Sequence, residues 1–259
     1  MRGLVNLGNT CFFNTAIQSL AHIPALSKHL FFNTLETKCP ITLEYQKVAK
    51  QLFLKGVTDP VDPSDLLNAF RTRFPHFANQ DQHDAQEVVL SLIDVFETSI
   101  GKEFVQDLFN GEETQETIYP NGVSKLKNTF TTLILDVQGP SRLEDLIKAR
   151  EKAVGIKDYT DDTGKTHHVA AVYTRVTRWP RIILFSFSMY ARKFPVEVPT
   201  EFQGRKLFAC VIHMGARQGG HYALMVMRHG KWFMKDDETV GEIKTPETFN
   251  GLFYLVLYR

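Results

Sequence analysis

From Cys11 to His22 apolar residues recur at three- and four-residue spacing, at Phe12, Phe13, Ala16, Ile17, Leu20 and Ala21. This predicts a one-sided helix that Pro24 stops. Asp62-Pro63-Ser64-Asp65 has the form of a cap with proline at the first helical position, opening a helix through Phe70. Residues 84–98 carry the clearest stripe, with Ala85, Val88, Val89, Leu92, Val95 and Phe96 on one face. Beyond residue 128 the period becomes that of strands, expected over Thr129–Val137, Arg181–Met189, Leu207–Met214, His221–Arg228, Lys231–Asp237 and Leu252–Tyr258. A helix over 142–150 interrupts them, opened by the capping-box spacing Ser141-x-x-Glu144. The polar stretches 110–127 and 155–170 contain Asn110-Gly111, Asn121-Gly122 and Asp162-Thr163-Gly164 and read as exposed loops or hairpin tips. Helices grouped first and strands second predict an α+β fold, not an alternating one.

Composition narrows the function classes. The 259 residues carry 30 Lys+Arg against 29 Asp+Glu, a net charge of +1, which gives no general attraction to nucleic acid or to an anionic membrane. A chain of this length buries roughly 70–75% of its unfolded surface and needs no disulfide or metal for stability. No run approaches the roughly 18 apolar residues of a membrane helix, and the first residues lack the apolar stretch of a secretory signal. An intracellular location, in cytoplasm or nucleus, is expected, with Cys11, Cys39 and Cys210 as thiols.

Cys11 falls in the first turn of its helix, where unpaired N–H groups and the helix dipole favour a thiolate. The run Asn6-Leu7-Gly8-Asn9-Thr10 before it permits a tight turn and brings side-chain amides near the sulfur, where they could receive an oxyanion. A capped helix with a buried cysteine accounts for the same residues. Among nine histidines, His221 stands out in Gly219-Gly220-His221-Tyr222, beside permissive backbone at the start of an apolar strand. The hairpin through His229-Gly230 places Arg228 opposite Lys231 and makes Asp236 the diagonal, same-face neighbour of His221. Asp237 then faces Tyr222 and points to the other side, although one bulge would exchange the two carboxylates.

These residues carry a resemblance. GLVNLGNTCFFNTAIQSL (3–20) resembles the cysteine box of the ubiquitin-specific proteases, GGHYALMVMRHGKWFMKDDETV (219–240) their histidine box, and DQHDAQEVVLSLID (81–94) the segment between. The resemblance implies a single papain-like catalytic domain over 1–259: a helical thumb over about 1–105, then a sheet-based palm and fingers. It implies Cys11 as nucleophile, His221 as base, Asp236 as orienting residue, Asp237 as a second carboxylate and Asn6 as oxyanion donor. It also implies that Asp84, Gln86 and Glu87, with Gly220 and Tyr222, meet the modifier's tail, although Asp84-x-x-Glu87 is equally a capping pattern.

The expected activity is thiol-dependent removal of ubiquitin from protein conjugates, with ubiquitin or a ubiquitin-like modifier as partner and no cofactor. Deconjugation of an interferon-induced modifier, or a non-catalytic ubiquitin-binding scaffold, are the alternatives. The sequence also departs from the family. The zinc-binding Cys-x-x-Cys pairs of many members are missing near Thr117 and Pro120 and near Asp161 and Gly164, so no metal is expected and the fingers look short. Cys210 and His213 would point to opposite faces of a strand, and His167-His168 reads as a solvated turn. Lys235 stands where an aromatic residue is common.

Overall fold

The computed structural model describes every residue except Thr34, Tyr190, Ala191, Arg217 and Gln218. Among the described residues, six α-helices precede the first strand: α1 (Cys11–Ala21), α2 (Pro24–Phe32), α3 (Pro40–Leu52), α4 (Ser64–Arg73), α5 (Ala85–Ser99) and α6 (Lys102–Phe109), with a 3-10 turn at Pro75–Phe77. The stripe expected on α1 is only part of its packing, because all eleven residues are buried, polar ones included. It packs against α5 on one side and the sheet on the other, which places Cys11 at the junction of the two halves.

The strands are β1 (Gly111–Tyr119), β2 (Gly122–Phe130), β3 (Thr132–Asp136), β4 (Ser141–Arg142), β5 (Val154–Thr160), β6 (Thr166–Arg178), β7 (Ile183–Ser188), β8 (Val196–Glu197), β9 (Glu201–Phe202), β10 (Arg205–Ala216), β11 (Gly219–Arg228), β12 (Lys231–Asp236), β13 (Thr239–Ile243) and β14 (Phe253–Tyr258), with helix α7 (Leu143–Arg150) after β4. The larger sheet runs β13-β12-β11-β10-β14-β7-β3, with β9 on the end of β10; all its pairs are antiparallel except β3 with β7. One face carries Ala209, Val211, Leu224 and Val226 into a core shared with α1 to α6. The other carries Cys210, Ile212, Ala223 and Met225 into a core closed by α7. Burial on both faces is why β10 and β11 read as continuous apolar runs.

The smaller sheet, ordered β2-β1-β6-β5, corrects three expectations. The stretches 110–127 and 155–170 are mostly strand, with the turn signals at the tips between β1 and β2 and between β5 and β6. Their strands were hidden because much of this sheet is solvated, so polar and β-branched residues replace an apolar alternation. The single strand expected over Thr129–Val137 divides, Thr129 and Phe130 ending β2 and β3 joining the larger sheet at Thr132. His167 is no solvated turn: it is 6% exposed, its Nε2 lies 2.8 Å from Asp161 Oδ2, and its ring packs on Tyr119. The Ser141 capping box also fails to form. Ser141 and Arg142 are held extended against β8, so α7 starts at Leu143 without a side-chain cap.

Candidate active site

Gly8 (φ 91°) and Asn9 (φ 52°) make the tight turn that delivers Cys11 to the first position of α1. Asn6 organises this turn by accepting from the N–H groups of Gly8 (3.0 Å) and Thr10 (3.1 Å) and from the Thr10 hydroxyl. Cys11 is 2% exposed, and its Sγ accepts the Tyr222 N–H at 3.5 Å and the Gln82 amide at 3.4 Å. The helix-start thiolate expected from sequence is corrected here. Burial pushes the thiol up from its ordinary value, and the donors from Tyr222 and Gln82 offset this only in part, with Asp237 adding to the rise. Desolvation of the buried sulfur is the largest cause and sets the direction. The shift favours the thiol over the thiolate.

Tyr222 follows His221 on β11, and the His221 ring pairs through Nε2 with Asp236 Oδ1 at 2.5 Å. The hairpin register is as expected at Arg228↔Lys231 and continues to Leu224↔Lys235. It does not continue to Tyr222 and Asp237. Asp237 takes a left-handed φ of 46° in the turn to β13, which ends the strand's alternation and swings its carboxylate back to the site. Its Oδ2 accepts from Asn6 at 2.6 Å and its Oδ1 from Asn14 at 2.8 Å. The side-chain ligand atoms of His221, Asp236 and Asp237 therefore lie within 4.8 Å of one another. Asp237 does not point to the opposite side; the two carboxylates divide the work, one on the imidazole and one on two asparagines.

The N-terminal segment is strapped to this turn. Leu4 N–H donates to Asp237 O at 2.8 Å, and Gly3 and Val5 pair with Val61. A Cβ at Gly3 would collide with the carbonyl oxygens of Asp237 and Glu238, so only glycine fits. Gly220 is constrained likewise, since a Cβ there would strike Met214 O and the His213 ring.

A cleft of about 830 Å³ lies between the start of α5 and the larger sheet; it reaches Cys11 only through Gln82 and Tyr222, and Cys11, His221 and Gly220 are not among its lining residues. Asp84, Gln86 and Tyr222 line it. Asp84 caps α5 by accepting from the N–H groups of Gln86 and Glu87 and also accepts from the Tyr254 hydroxyl. Glu87 is not among the lining residues; its carboxylate meets His76 at 3.0 Å on the surface. Burial and the nearby charge of Lys193 pull His213 down to about 4, so its ring, stacked on Tyr222, is neutral near pH 7.

Three contributors went unassigned in the sequence. Gln82 joins the two halves, its amide pairing with both the N–H and the C=O of Gly220. Asn14 and Gln18 are polar residues on the wholly buried α1. On a helix read as one-sided they would face solvent, and only the docking of α1 on the sheet buries them. Among the described residues the possible metal-holding group is His221, Asp236 and Asp237, but its carboxylates are already engaged. Cys210 lies in the core on the far face of β10 from His213.

Residues 2–258 match the family model described as ubiquitin carboxyl-terminal hydrolase. Ubiquitin carboxyl-terminal hydrolase 51 of Mus musculus is 24% identical over all of this chain, which spans 51% of that relative. Ubiquitin carboxyl-terminal hydrolase 22 of Homo sapiens is 23% identical over all of this chain and 66% of its own length. The same fold occurs in a solved structure of the SAGA DUB module Ubp8/Sgf11/Sus1/Sgf73 bound to monoubiquitin. There the TM-score is 0.85 at 20% identity, covering all of this chain and 68% of the other.

Proposed function

The chain belongs to the ubiquitin carboxyl-terminal hydrolase family, and from that premise we propose that it is a cysteine isopeptidase that removes ubiquitin from the lysine side chains of conjugated proteins. The observation that carries this reading is the His221–Asp236 bond one residue from the Tyr222 N–H that touches Cys11 Sγ. Nε2–H held by Asp236 leaves Nδ1 as the basic nitrogen. Nδ1 takes the Cys11 proton as sulfur attacks the carbonyl carbon of the modifier's C-terminal glycine. The negative oxygen is received by the Cys11 N–H and by the second Asn6 amide hydrogen, the first being spent on Asp237. The imidazolium returns its proton to the departing lysine amine, and water activated by the same ring hydrolyses the thioester.

In this reading the whole chain acts as one catalytic domain, with residues to about 105 as thumb and the two sheets as palm and fingers. The modifier's diglycine end threads between Gly220 and Tyr222 on the sheet and Asp84 and Gln86 on α5. Glu87 reaches the tail only by leaving His76, a cheap exchange because exposed pairs contribute about 0–1 kcal/mol. Among the described residues no helix is long and apolar enough to cross a membrane; action on conjugates in the cytoplasm or nucleus is part of the proposal.

A ubiquitin bearing a C-terminal electrophile tests the reading. We expect a covalent adduct at Cys11 in the wild type and none in Cys11→Ala, while the variant still binds ubiquitin. Reversible binding without an adduct would overturn the enzyme assignment, and an adduct only with the interferon-induced modifier would change the substrate.

A further inference from the structure

Lys235 is 1% exposed, and its ammonium meets two uncharged acceptors, Arg2 O at 2.9 Å and Gln18 Oε1. Among the described residues no carboxylate pairs with it, and the charge acting on it is that of Arg228. Burying a charge without a counter-ion is costly, and an apolar side chain of the same size would fill the space at lower cost. Packing alone therefore gives no reason for an ammonium here.

Its connections do. Lys235 immediately precedes Asp236 and Asp237 on β12. Gln18 lies two turns along α1 from Cys11, and Arg2 lies four residues before Asn6. One side chain joins the segments bearing the carboxylates, the nucleophile and the oxyanion donor. We propose that Lys235 is a positioning residue for the hydrolysis, its Nζ setting the depth at which the end of β12 docks on α1 and the N-terminal segment. The inference rests on the isopeptidase reading for its kinetic consequence but not for its geometry. The pin does not depend on charge state: burial, with Arg228 adding to it, pulls Lys235 down to about 7, and the neutral amine still has two hydrogens for two acceptors.

The test compares wild type with Lys235→Met on a fluorogenic ubiquitin C-terminal amide, at a temperature where both are folded. We expect kcat to fall about tenfold or more with KM within about threefold, the signature of misplaced reacting groups and not of lost substrate binding. The Leu4 amide, which donates to Asp237 O, should exchange with solvent about tenfold faster in the variant while α5 amides keep their protection. Unchanged kcat with unchanged Leu4 exchange would overturn the pin. Should Lys235→Met fail to fold, Gln18→Met and Gln18→Glu decide: loss of kcat in the first and retention in the second support the pin, and equal values overturn it. A wild type that does not hydrolyse ubiquitin would refute the isopeptidase reading, and the exchange comparison alone would still decide the pin.

Discussion

The seam between α1 and β12 and the tip of the smaller sheet are both held by buried polar groups, but they staple very different lengths of chain. At the tip, Asp161 and His167 are six residues apart, both side chains nearly covered, with Tyr119 packed on the imidazole. At the seam, Asn6 is 231 residues from Asp237 and Arg2 is 233 from Lys235. A local staple orders only its own hairpin. A long-range staple fixes the relative placement of helix, strand and strap, so its loss reaches every reacting group. In the proposed reaction the same kind of hydrogen bond is structural in one region and catalytic in consequence in the other.

The largest effects are expected at the two carboxylates. Asp236→Ala should lower kcat/KM by about 10²–10⁴-fold through loss of an oriented base, and Asp237→Ala by about 10²–10³-fold through loss of the oxyanion donor's anchor. Asn6→Ala separates them. Added to Asp237→Ala it should cost little more, because both variants disable the same donor, whereas added to Asp236→Ala it should cost close to its full factor. Kinetics of the five variants decide this, and a fully additive Asn6–Asp237 pair would show that the 2.6 Å bond between them does not matter to the reaction.

How much of this arrangement could be seen in the sequence follows from the range of the interactions. Cys11 at a helix start, His221 at a strand start and the Asp236 bond follow from short-range rules: apolar spacing, a glycine-bearing turn, a two-residue hairpin. The same hairpin rule misplaced Asp237, because a left-handed residue ends the alternation on which the rule depends. Lys235, Asn14 and Gln18 were opaque because their partners are set by how α1 docks on the sheet, which no local pattern encodes. The strands of the smaller sheet were missed for the opposite reason: local structure is there, but without one dry face it leaves little hydrophobic signature.

A middle-sized effect sharpens the energetics of the seam. Lys235 is pulled from an ordinary value of 10.5 down to about 7 by burial, so between those values the unfolded chain holds a proton that the folded chain has released. Stability against urea should therefore rise as pH increases from about 7 toward 10, and below 7 the full cost of the buried charge is present. Lys235→Met should lack this rise, so the midpoint difference between variant and wild type should shrink as pH increases. A constant difference across that range would mean that the lysine keeps its proton inside the fold.

The smallest effect is expected at the tip. The His167 and Thr163 bonds hold the Asp161 carboxyl well below the usual carboxylate range. A depressed carboxyl contributes stability that is fully present above its unfolded value, about 3.9, and is lost as pH falls through the folded value. Amides between Thr160 and Thr166 should accordingly keep their protection through pH 4 in the wild type and lose it in Asp161→Ala at every pH, while kcat on the ubiquitin amide stays within about twofold because no hydrogen bond links Asp161 to Cys11, His221 or Asp236. A rise in KM with unchanged kcat would place the tip in modifier binding. A fall in kcat as large as that of Lys235→Met would erase the distinction between local and long-range staples, since it would require the tip to set the geometry of a seam with which it shares no hydrogen bond.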